Sequence, residues 1–104
     1  MKLRITLSAQ EWFKREIDIP EGSGIRFYGK AYGKTPVFDG FSIAMSVEAP
    51  SHPMAEHVLE GITYFIEDTD DWFFNGYDLV VDYNQQKDEP DYQFIPEKND
   101  QKEY

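Results

Sequence analysis

A chain of 104 residues has room for one domain, which on folding alone would bury roughly two-thirds of the surface its unfolded form exposes. With 40% hydrophobic and 16% aromatic residues it is too apolar to stay disordered, despite a formal net charge of -10. That charge argues against nucleic acid and membrane as partners; the absence of cysteine removes disulfides, thiolate nucleophiles and cysteine-ligated metal; and no apolar run approaches the roughly 18–20 residues of a membrane span.

Leu3, Ile5 and Leu7 alternate with Arg4 and Thr6, the period of a half-buried strand that ends at Ser8. The opening lacks the apolar core of a signal peptide, so a cytoplasmic chain is expected. Ser8 and Glu11 have the spacing of a capping box and predict a helix over residues 9–18, with Ala9, Trp12, Phe13 and Ile17 inward and Lys14 and Arg15 outward. Pro20, Gly22 and Gly24 end it. Ile25, Phe27, Gly29 and Ala31 alternate with polar neighbours as a second strand. Residues 32–40, with Gly33, Pro36 and Gly40, form a loop or hairpin turn, and residues 41–47 are the cleanest strand alternation in the chain. Residues 48–53 read as a connector by Pro50 and Pro53, and 54–60 only as an edge strand around Val58 and Leu59.

The rest is organised around residues 61–83. Ile62, Tyr64 and Ile66 share one face of a strand. Asp68 then caps a short helix with Asp71 in its first turn and Trp72, Phe73 and Phe74 on its apolar side, and Asn75 and Gly76 stop it. Leu79, Val80 and Val81 form another strand closed by Asp82, residues 84–90 connect, 91–95 make the last strand, and 97–104 form a flexible acidic tail. The sum predicts a mainly β, α+β domain: two small mixed sheets wrapped as a sandwich or flattened barrel, with one N-terminal helix packed on one side and one short helix.

Charge is unevenly placed. Residues 1–34 carry seven Lys or Arg against four acids and 35–104 three against sixteen; the plain reading is a solvated acidic surface kept for solubility, and as a partner a basic protein or a hard cation fits it best. His52, Glu56 and His57 offer imidazole and carboxylate donors suited to zinc or iron, and set the candidate metal site. Asp68, Asp70 and Asp71 resemble the start of a calcium loop, but Phe73 stands where that loop needs glycine, so helix-cap acids are the better account. No Ser-His-Asp arrangement and no phosphate loop is present, and no enzymatic activity is expected. Trp72, Phe73, Phe74 and Tyr77 read as core and rim packing, or in part as an exposed partner surface.

Ile5-Thr6-Leu7-Ser8-Ala9, Gly24-Ile25-Arg26, Gly61-Ile62, Asn75-Gly76-Tyr77-Asp78-Leu79 and Phe94 are, in that order, similar to landmarks of the HesB-like family, the A-type carriers of iron–sulfur cluster assembly, over residues 1–96. The chain departs from that family's cluster-binding members in having no thiol: Lys34 stands near one expected cysteine, and Glu97-Lys98-Asn99-Asp100 replaces the C-terminal pair. The resemblance implies the family fold and a non-catalytic accessory in iron–sulfur assembly, with no cysteine-ligated cluster or other cofactor. Such an accessory acts through protein binding, with Tyr32, Lys34, Phe38 and Trp72 as the partner-binding candidates, or through weak iron binding at His52, Glu56 and His57. A plain protein-interaction module with no role in iron is the alternative, and the sequence leaves a homo-oligomer open.

Overall fold

The computed structural model describes residues 1–31 and 41–97. The expected loop over 32–40, with Tyr32, Lys34 and Phe38, and the tail from residue 98 lie outside the described residues. Within them the alternating segments form seven strands: β1 (Leu3–Ile5), β2 (Gly24–Ala31), β3 (Phe41–Glu48), β4 (Pro53–Leu59), β5 (Ile62–Glu67), β6 (Tyr77–Asn84) and β7 (Glu89–Pro96). Helix α1 (Leu7–Glu16) follows β1, and a 3-10 turn (Asp68–Asp70) leads into the short helix α2 (Asp71–Phe74) between β5 and β6.

One sheet has the order β1-β6-β7, with β1 parallel and β7 antiparallel to β6. The other has the order β3-β2-β5-β4, with β2 and β5 parallel at its centre and an antiparallel partner outside each. Both are mixed and neither closes on itself, so the mainly β, α+β reading holds in its open form rather than as a barrel. Leu3, Ile5, Leu79 and Val81 from the first sheet meet Ile25, Phe27, Tyr64 and Ile66 from the second in one core. Each fully buried side chain of this size contributes roughly 1.5–3 kcal/mol. Phe13 of α1 enters the same core, its ring 5.9 Å from Phe27 and 5.6 Å from Tyr64, and across the sheets Phe27 meets Tyr92 at 5.9 Å. No described helix is long and apolar enough to cross a membrane.

The helix start differs from the capping-box expectation. Thr6, not Ser8, is the cap: its Oγ1 accepts the Ala9 N–H at 3.1 Å and donates to Asp82 at 2.9 Å. Its own N–H is held by the Val81 carbonyl at 3.0 Å, so the β1–β6 pairing ends and the helix begins on the same residue. Leu7 is therefore the first helical residue and largely exposed rather than the last inward residue of the strand. The far side of α1 is held by the β6–β7 turn. The Trp12 indole N–H donates to the Asp88 carbonyl at 2.9 Å, while Arg15 and Tyr83 both donate to the Asp88 carboxylate, at 2.6 and 2.7 Å.

The segment read as an edge strand around Val58 is longer than expected, because β4 and β5 form a tight hairpin around Glu60 and Gly61, both at positive φ. At the other edge, Glu97 N–H donates to the Gly76 carbonyl at 3.0 Å, which sets the parity of the β6–β7 ladder. Pro90 and Pro96 then stand where an N–H would face away from β6, so the outer edge of β7 lacks two donors and is a poor template for strand addition.

Two glycines separate two kinds of constraint. Gly76 has φ +88° with open space where a side chain would go, so Gly76→Val should lower stability by about 1 kcal/mol or more through backbone strain alone. At Gly29 a Cβ would fall within the Phe73 ring, so Gly29→Ala should cost about 1–3 kcal/mol through overpacking. Denaturant melting checks both, and an unchanged midpoint in either variant removes the corresponding constraint.

Candidate functional site

The turn from β5 to β6 carries the chain from one sheet to the other, and it is anchored by acids that do not act as helix caps. Neither the 3-10 turn nor α2 has a side-chain cap hydrogen bond. Instead the buried Glu67 carboxylate accepts the Ser51 and His52 N–H groups at 2.8 and 2.7 Å, and the Asp68 N–H returns to the His52 carbonyl at 2.9 Å. Asp70, 6% exposed, accepts from Arg26 through Nη2 at 2.7 Å and Nε at 3.2 Å. Arg26 Nη1 also reaches Glu48 at 3.3 Å, and its guanidinium lies 5.0 Å from the Tyr28 ring centroid. The Ser46 hydroxyl, with Arg26 adding to it, holds the Glu48 carboxyl below its ordinary range.

On this anchored turn α2 splits its three aromatics. Phe74 is fully buried, Phe73 is partly buried against Gly29, and Trp72 is 58% exposed. The rings continue across to β7: Trp72 to Phe73 at 5.5 Å, Phe73 to Phe94 at 5.8 Å, and Tyr77 to Phe94 at 5.9 Å. Trp72, Phe73, Phe94 and Tyr77 thus make one continuous aromatic ridge, and Tyr77 and Phe94 each leave about two-fifths of their surface in solvent. Of the other exposed apolar residues, Leu7, Val47 and Val58 stand on separate elements, while Ile95 follows Phe94 on β7 and so lies on the opposite face of that strand. Of the expected partner-binding residues Trp72 is described and lies on the ridge; Phe94 is not among those candidates, because nothing in its local pattern says that the last strand carries its aromatic to α2.

The structure does not bring His52, Glu56 and His57 together. His52 lies in the bend before β4 and His57 five residues on, roughly 16 Å along an extended strand. Glu56 and His57 are neighbours in β4 and face opposite sides of it. His57 Nδ1 accepts the Ile5 N–H at 2.9 Å, which ties β4 to the outer edge of β1, and His52 Nδ1 lies 3.0 Å from the Ser51 hydroxyl. Among the described residues no group of three or more His, Asp or Glu is placed to hold a metal.

No family model matches the chain. It is 35% identical over 94 residues to a Bacillus subtilis protein named pyruvate dehydrogenase inhibitor, covering 90% of this chain and 99% of that one. An uncharacterized protein of Staphylococcus saprophyticus is 30% identical over 95 residues, and one of Staphylococcus epidermidis 34% over 92, with 88% and 86% of this chain covered and 97% and 94% of theirs. These findings correct the HesB-like assignment and the accessory role in iron–sulfur cluster assembly drawn from it. The physical reason for the error is visible in the residues that suggested it. Thr6 is a helix cap, Gly61 and Gly76 are positive-φ turns, and Gly24 is a close approach to the Thr63 carbonyl, so each landmark records chain geometry and none records chemistry.

Two expectations follow for the anchored turn. Arg26→Leu should lower stability by about 2–3 kcal/mol by leaving Asp70 buried and unpaired, and a further Asp70→Leu should return most of that loss. Denaturant melting of the two variants checks this, and equal stabilities would show that the pair contributes by packing alone. Because Glu48 is depressed in the folded state, its contribution is complete above its unfolded value of 4.5 and disappears as the pH falls below it. Ser46→Ala should therefore flatten the loss of stability in acid, measured as melting temperature against pH.

Proposed function

The chain belongs to the same family as the Bacillus subtilis pyruvate dehydrogenase inhibitor, and we propose that it works as that name describes, binding a pyruvate dehydrogenase and lowering its activity. In this reading it is a non-catalytic cytoplasmic protein that uses no cofactor and acts by occupying a surface of the enzyme. The observation that carries the reading is the exposed aromatic ridge, Trp72 to Phe94, held on a rigid turn beside acids. Large, stiff aromatic side chains with two rotatable bonds are the residues that most often anchor protein contacts, because they bury much surface for little lost entropy. The alternative kept from the sequence, an interaction module with no role in iron chemistry, is the same reading with its partner left unspecified.

Titrating the purified chain into the pyruvate dehydrogenase complex of the organism that carries it tests the proposal. The rate of pyruvate oxidation should fall to a plateau at a fixed ratio of chain to enzyme and recover on dilution. An unchanged rate at several-fold excess would overturn it, and so would a loss that keeps building at a small fraction of that ratio, since that is the signature of a catalyst modifying the enzyme.

A further inference from the structure

We propose that the Trp72 ridge is the docking surface and that its occupant is a basic protein segment presenting an arginine, which stacks on the Trp72 indole and pairs with the Asp68 and Asp71 carboxylates. This deepens the proposed function and rests on it for the partner being a protein. Three observations lead to this occupant. The first is the ridge, whose most exposed member is Trp72. The second is charge: residues 35–86 contain no Lys or Arg, and neither do 88–97, so both stretches that form the ridge are free of fixed cations. The third is that Asp68 and Asp71 are exposed, and no ion pair engages either carboxylate among the described residues. Asp71 is adjacent in sequence to Trp72, and Asp68 opens the 3-10 turn that leads directly into α2.

Among the described residues, two cations of other elements are already occupied. The Met1 α-ammonium pairs with Glu97 at 2.8 Å, and Arg26 is held by Asp70 and Glu48. A guanidinium suits what remains better than an ammonium, because it is planar, lightly hydrated and able to stack on an indole while donating in its own plane to carboxylates. An apolar residue beside that arginine would lie along Phe94 and Tyr77.

Two probes test the surface separately from the function. In a nitrogen–proton NMR spectrum the chain shows two indole signals, and Trp12, bonded to the Asp88 carbonyl, serves as the internal reference. A synthetic peptide of alternating arginine and leucine should move the Trp72 signal saturably, less so as salt rises, while its glutamate–leucine counterpart should not. Against the enzyme, Trp72→Ala and Asp68→Lys/Asp71→Lys should each raise the concentration for half-maximal inhibition about tenfold or more, while Val58→Ala on the far sheet should not. Equal response to both peptides, or full inhibition by both ridge variants with their melting unchanged, would overturn the proposal. If Trp72 responds to the arginine peptide but the native chain does not inhibit the enzyme, the surface stands and the enzyme assigned to it falls.

Discussion

The pairing of Arg26 with Asp70 is the contact on which the exposed part of this molecule depends. A four-residue helix cannot hold itself together in water, since nucleating a single turn fixes about six torsions for one hydrogen bond. α2 exists because it is pinned from outside. Asp70 is tied to the centre of one sheet through Arg26, Phe74 is buried between the sheets, and Gly76 turns the chain into β6. The ion pair adds little net stability, because removing two charges from water consumes most of what their attraction returns. Its effect is positional: a guanidinium forked onto Asp70 permits far fewer placements of the 3-10 turn than apolar packing would.

The same logic explains Glu67, which lies one residue before that turn and bridges two backbone N–H groups of the bend preceding β4. Ser51 and His52 are themselves exposed, so the pairing chiefly satisfies the buried Glu67 carboxylate, whose unmade hydrogen bonds would cost about 1–3 kcal/mol. Two buried carboxylates thus stitch the β5 end of the β5–β6 crossover, one to a side chain and one to the main chain. An abundance of acid that reads from composition as a solvated surface is, at these two residues, part of the interior.

Period-two alternation made the strands legible, and the edges of most are within a few residues of where it puts them. The failures have a common form. Thr6 displaced Ser8 as helix cap because its N–H is already committed to Val81, a partner 75 positions away that no local window contains. Glu60-Gly61 went unrecognised as a hairpin because glutamate is not the residue that usually accepts positive φ there. Asp70 was read as a cap because Arg26 is 44 positions away. At the site, Trp72 could be named from its place in a short helix, whereas Phe94 joins it only through the β6–β7 register, and the proximity of His52 and His57 in sequence misled because a strand separates what a helix would bring together.

On the proposed reading, a small protein that inhibits by contact must extract specificity from few residues, and a ridge held in place before it binds would meet that demand. Trp72 stands on a helix tied down by Asp70 and Phe74, and Phe94 is stacked on the buried Phe74 with an interplanar angle of 16°. Neither aromatic needs to be ordered at the moment of contact, so the entropy that a loop of equal size would lose on binding, roughly 0.5–1.5 kcal/mol per immobilised side chain, has already been spent in folding. Charge then divides the remaining work. On that reading the acidic field of a chain with net charge -10 would govern how fast a basic partner arrives, and the aromatic contact how long it stays.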